Sequence, residues 1–187
     1  MKRTMILAGL SVALAGTVIA PTAASAEERT CRGTIGAATL DNVRVPSGAL
    51  CRLIGTRVKG TIKVENGGRL RATAVRVVGN VQGEGHRHVL VRRSQVGGSI
   101  QLDQGRTAVI RRNRVTGDVQ SFSNRGDQLI ARNRINGNLQ CKQNVPAPRG
   151  WGNVGGPEDP AAQQREPDQR RGQIGDDQNS ELQPAGG

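Results

Sequence analysis

The chain has 187 residues, 27 Lys and Arg against 15 Asp and Glu, and a formal net charge of +12. One Trp, one Phe and no Tyr disfavour single-strand nucleic-acid binding, which rests on aromatic stacking platforms. One apolar run at the N-terminus is followed by no second, so a protein with several membrane spans is excluded.

The first 26 residues read as an export signal. Lys2 and Arg3 form the charged start, Met5 to Ala20 the apolar run, and Ala24-Ser25-Ala26 the small-residue cleavage site. Residues 27–144 then make one domain with 21 basic and 8 acidic side chains, and residues 145–187 carry 4 and 7. This last segment, rich in Pro, Gln, Gly and Asp, buries too little apolar surface to offset its ordering entropy, which predicts a disordered low-complexity tail. A basic body beside an acidic tail points to an anionic partner, or to a tail that competes with one.

Within the domain a glycine recurs. Gly60, Gly79, Gly98 and Gly117 are 19 apart and Gly137 follows after 20. An aliphatic stands two residues after each (Ile62, Val81, Ile100, Val119, Leu139) and a β-branched residue two before (Val58, Val77, Val96, Val115, Ile135). A third column is Leu53, Ala72, Val91, Ile110 and Ile130. Such a fixed period means one supersecondary unit wound repeatedly on itself. Alternation within a unit, as in Thr61-Ile62-Lys63-Val64, has period 2, so the unit is built of short strands.

The period is too short for a propeller blade, lacks the consensus leucines of a leucine-rich repeat, and fits no helical repeat. A β-sandwich would have no reason to repeat residue types at this spacing. The expected fold is therefore all-β: a right-handed parallel β-helix, a solenoid of about six coils of 19–20 residues. Equivalent residues would stack about 4.8 Å apart. Gln82, Gln101, Gln120 and Gln140 fall in one column, and stacked side-chain amides bond along such a ladder.

Asn42 to Gly48 (Asn-Val-Arg-Val-Pro-Ser-Gly), Arg57 to Val64 (Arg-Val-Lys-Gly-Thr-Ile-Lys-Val) and Gly137 to Lys142 (Gly-Asn-Leu-Gln-Cys-Lys) carry a resemblance. The chain resembles right-handed parallel β-helix proteins, and more narrowly uncharacterised exported β-helix proteins of actinobacteria. The similarity covers about residues 31 to 150. It implies the fold and export, and no activity.

Cys31 and Cys51 are 20 apart, close to one coil, which would bring their backbones to about 5 Å and permit a disulfide in an oxidising compartment. Cys141 has no partner left in the sequence and aligns with the inward Val64 and Leu102, so a buried free thiol is expected in preference to an intermolecular bridge.

Outward positions carry arginine repeatedly. One stripe is Arg57, Arg76, Arg114 and Arg134, and a parallel one, two residues earlier in each coil, is Arg93, Arg112 and Arg132. Like charges stacked so closely repel, which predicts a flat cationic surface reading an anionic polymer, since guanidinium gives bidentate contacts to phosphate or carboxylate. For an exported protein the candidates are a wall phosphate polymer or an acidic polysaccharide at the cell wall or outside the cell. The bland reading is that arginine supplies solubility and keeps sheets from aggregating. Self-assembly through the unpaired coil ends, giving a homo-oligomer, is a second function class.

Glu65, Glu84 and Asp103 form a carboxylate column that a polysaccharide lyase or glycosidase could use. With neither Tyr nor Trp in the domain to stack on a sugar, these acids are expected to offset Lys63, Lys142 and nearby arginines instead. His86 and His88, in a His-Arg-His triplet, supply too few oriented ligands for a metal and are expected in a solvated loop. No Ser-His-Asp order, phosphate-cradling loop or Cys-x-x-Cys motif occurs, so the sequence points to no enzyme, no cofactor and no metal.

Overall fold

The computed structural model describes residues 27–155; the expected signal and most of the expected tail lie outside these residues. Among the described residues there are nineteen short strands and no helix. They form three parallel sheets, each strand pairing with its equivalent one coil away. The first sheet holds Glu28–Thr30, Asn42–Val45, Ile62–Val64, Val81–Glu84, Ile100–Asp103, Val119–Phe122 and Leu139–Lys142. The second holds Gly33–Ile35, Leu50–Ile54, Arg69–Thr73, His88–Arg92, Thr107–Arg111 and Gln128–Ala131. The third holds Thr39–Leu40, Arg57–Val58, Arg76–Val77, Gln95–Val96, Arg114–Val115 and Arg134–Ile135. The molecule is a parallel β-solenoid of about six coils.

All three aliphatic columns are register columns. Leu53 sits on Ala72, then Val91, Ile110 and Ile130. Val58 leads through Val77, Val96 and Val115 to Ile135, and Ile62 through Val81, Ile100 and Val119 to Leu139. Nearly every member is fully buried. The coil interior is narrow and is filled mainly by Val, Ile, Leu and Ala.

Polar ladders close the corners. Between the first and second sheets, the Gly105 N–H donates to Asn124 Oδ1 (2.8 Å) and the Asn124 N–H to Asn144 Oδ1 (3.0 Å). Between the second and third, the Ser94 N–H donates to Asn113 Oδ1, Asn113 to Asn133 and Asn133 to Asn153, at 3.0 to 3.1 Å. Between the third and the next first strand, the column Asn42, Thr61, Asn80, Ser99, Asp118 and Asn138 does the same in the opposite sense, each side-chain oxygen accepting the N–H of the following coil. Corner backbone groups that no strand partner can reach are satisfied in this way, as buried polar groups must be.

This last ladder explains the glycine beat. A Cβ at Gly60, Gly98 or Gly137 would fall on the ladder oxygen of Asn42, Asn80 or Asp118, and one at Gly117 on Ser99 Oγ. At Gly79 it would lie 2.7 Å from the Gly60 carbonyl oxygen. None of the five has a positive φ, so glycine is required for space and not for conformational freedom.

The winding runs past the boundary expected at Asn144. Val145, Arg149 and Val154 bridge Arg125, Leu129 and Arg134 of the preceding coil, and Asn153 continues the corner ladder. Residues 145–155 therefore belong to the solenoid and not to the tail. They are held by backbone and asparagine bonds, with Val145 and Val154 exposed, so an apolar-burial criterion could not see them.

Cys31 and Cys51 are bonded, with Cα atoms 5.4 Å apart, and both are buried. The bridge ties down the first coil, which has a neighbour on one side only. Replacing both cysteines by alanine is expected to lower stability by about 3 kcal/mol, the chain-entropy value for a loop of this length. Urea unfolding of the wild type and the double variant measures the difference. Cys141 is a free, partly buried thiol whose pKa burial pushes up to about 11.

Candidate functional site

The third-sheet strands have two residues each, one inward and one outward, so the outward residue of each coil stacks on the next. That outward column reads Thr39, Arg57, Arg76, Gln95, Arg114 and Arg134. The expected stripe of Arg57, Arg76, Arg114 and Arg134 is present, and Gln95 divides it into two pairs, which limits the repulsion between stacked guanidinium groups.

Arg93, Arg112 and Arg132 lie elsewhere than expected. They occupy the corner before the third sheet with φ of 52°, 57° and 56°, and the same column has Gly55 and Gly152 at 65° and 63°. A left-handed residue with a side chain costs on the order of 1 kcal/mol. Here the conformation is held by the neighbouring Asn113 and Asn133 ladder, whose side-chain amides also donate to the Val91 and Ile110 carbonyls at 2.9 Å. The expected flat grid is thus corrected: the arginines wrap an edge, because the left-handed turn breaks the strand alternation on which the flat reading depended.

Sequence reasoning missed two further members of this edge and a second arginine column. Arg92 and Arg111 are outward register partners at the end of the second sheet, and Arg92 Nε donates to Thr73 Oγ1 at 3.1 Å. Arg87, Arg106 and Arg125 form another column at the opposite margin of the second sheet. Their spacing of 19 was the available signal.

All seven expected binding arginines are exposed. Arg57, Arg76, Arg93, Arg112, Arg114 and Arg132 form no salt bridge with a described residue. The carboxylates stand away from them. Glu84 and Asp103 lie on the first sheet, and Glu28 and Glu65 meet Arg44 there at 2.7 and 3.3 Å. Asp41 meets Lys59 at 3.1 Å, Asp118 accepts from the Asn138 N–H, and Asp127 faces Arg149 at 3.7 Å. With few anions nearby among the described residues, these side chains concentrate positive charge at the edge between the second and third sheets.

The first sheet carries a different array. Gln82, Gln101, Gln120 and Gln140 form the expected ladder, each Nε2 donating to the next Oε1 at 3.0 Å. Beside it Glu84 and Asp103 are register partners over a shallow groove of about 880 Å³ that Lys63, Glu65, Gln82 and Gln101 also line. Glu65 is drawn aside: the Arg44 guanidinium and the Ser47 N–H bond its carboxylate and hold its pKa below the usual value. The three expected acids line one groove, and Arg44 offsets the charge of Glu65. Among the described residues no group of three His, Cys, Asp or Glu could hold a metal ion.

The expectation of a solvated His-Arg-His loop fails for His86, which is fully buried. Its ring fills space opened by two glycines: a Cβ at Gly105 would fall on the ring, and one at Gly83 would lie 3.1 Å from Nδ1. Neither ring nitrogen finds a hydrogen-bond partner among the described residues, and burial pushes the pKa down to about 4. His88 points outward, with Nδ1 2.9 Å from Thr107 Oγ1.

The fold and the edge define a class: a parallel β-solenoid with an arginine-lined margin. Comparison with family models, with curated proteins and with solved structures gave no match.

Proposed function

We propose that this is an exported, non-enzymatic binding or structural protein of the cell envelope whose arginine edge holds an anionic polymer, a wall phosphate polymer or an acidic polysaccharide. One observation carries the reading: Arg57, Arg76, Arg93, Arg112, Arg114 and Arg132 line a single margin without carboxylate partners among the described residues. Stacked guanidinium groups cost folding free energy through mutual repulsion. A linear polyanion lying along the columns would relieve that repulsion at every coil and gain charge-assisted hydrogen bonds. The disulfide is consistent with an oxidising, extracellular setting.

The test is retention on immobilised polyphosphate as salt is raised. Replacing Arg112, Arg114, Arg132 and Arg134 together by Ser is expected to weaken binding on the order of 100-fold at moderate salt. The same change should make the slope of log affinity against log salt shallower by about 3. Unchanged retention would refute the edge as the site. Concentration-dependent oligomers indifferent to these substitutions would favour assembly through the coil ends. Release of new sugar ends from an acidic polysaccharide, abolished by Glu84→Gln, would favour the groove on the first sheet.

A further inference from the structure

The outer face of the second sheet carries an aliphatic stripe. Leu90, Val109 and Leu129 stack on successive coils, and each is partly exposed, pointing away from the core. Arginine bounds this stripe at both ends and beyond its flanks, with His88, Thr107 and Asp127 as its immediate outward neighbours at the strand starts. Arg71 pairs with Leu90 at one end, and Arg149 bridges Leu129 at the other. Arg92 and Arg111 stand two residues further along the same strands. Arg87, Arg106 and Arg125 flank the strand starts, with the N–H groups of Arg106 and Arg125 bonded to the preceding coil at 2.8 Å. Asp127, beside the stripe, faces Arg149.

Three stacked side chains span two coil spacings, about 10 Å, and are one side chain wide. This is far below the roughly 800 Å² per partner of a stable protein–protein interface. It does match one extended hydrocarbon chain lying along the solenoid axis. An anionic head at either end of that chain would meet guanidinium groups, which bond phosphate in a bidentate fashion. We infer that the second sheet binds a single anionic amphiphile, its alkyl chain on Leu90, Val109 and Leu129 and its phosphate head on the bounding arginines. This site shares Arg92 and Arg111 with the polymer edge and differs from it in needing apolar contact, which a polyanion does not supply.

Titration calorimetry with dodecyl phosphate below its micellar range, ethyl phosphate and dodecyl maltoside separates the contributions. The full chain is expected to bind dodecyl phosphate at least tenfold more tightly than either of the others. Replacing Leu90, Val109 and Leu129 together by Thr should erase the advantage of dodecyl over ethyl while leaving polyphosphate retention intact, so this inference and the polymer reading fail separately. Should the triple variant not fold, Arg92→Ser with Arg111→Ser, which leaves the core untouched, should weaken dodecyl phosphate binding severalfold. Equal affinity for the dodecyl and ethyl esters overturns the inference, as does insensitivity of dodecyl phosphate binding to both variants. Binding to phosphatidylglycerol vesicles with none to the monomeric ester would also overturn it, in favour of a membrane surface as partner.

Discussion

Replacing Gly98 by alanine is expected to destabilise the solenoid by about 2–4 kcal/mol, the sum of overpacking and a lost, partly buried hydrogen bond. The new methyl group would fall on Asn80 Oδ1 and lie 2.9 Å from the Gly79 carbonyl oxygen. Asn80 must then release the Ser99 N–H, which it holds at 2.8 Å, or the two coils must separate. Separation would also stretch the neighbouring bond from the Gly98 N–H to Gly79 O, now 3.0 Å. Gly36→Ala is the control, because a Cβ there meets nothing within 4 Å. Thermal unfolding of the two variants should differ by several degrees or more, and equal loss in both would show that the beat reflects something other than crowding at the ladder.

Acid is expected to weaken the protein through His86. Its folded pKa of about 4 lies below the ordinary 6.5, so between these values the unfolded chain takes up a proton that the folded chain refuses. Stability is therefore complete above about pH 6.5 and falls as pH drops towards 4, by about 3 kcal/mol for this group. His88 acts in the same direction, its pKa lowered by partial burial and by Arg71. Urea unfolding at pH 7.5 and 4.5 should show the loss, and His86→Leu, which keeps an apolar filler against Gly83 and Gly105, should lose much less. An equal decline in both proteins would assign the acid sensitivity to other groups.

The apolar columns, the glutamine ladder and the cysteine bridge were legible because in-register parallel stacking turns a sequence period directly into a spatial neighbour. Val58 and Val77, or Gln101 and Gln120, need no further information to be placed together. The corners were not legible in the same way. Alternation carried through the turn at Arg112 put it on the same strand face as Arg114, whereas one left-handed residue resets the alternation there. His86 looked solvated because its sequence neighbours are Gly85 and Arg87. Its actual neighbour is Gly105, one coil away, and an absent side chain is a weak signal until the columns are drawn. The end of the solenoid is hard to read for a related reason: Asn144 and Asn153 hold the last coil by side-chain hydrogen bonds that composition does not register. The arginine margin was legible in part, and Arg87, Arg106 and Arg125 keep the same beat as the residues that revealed the fold.

Because every ladder presents to the next coil the same groups it receives from the previous one, the solenoid is modular in units of one period. Adding or deleting a whole unit leaves each junction chemically equivalent, while a partial unit breaks three sets of bonds at once. The reach of the cationic margin, and the avidity it could offer a long polymer, thus scales with the number of units and not with the strength of any single contact.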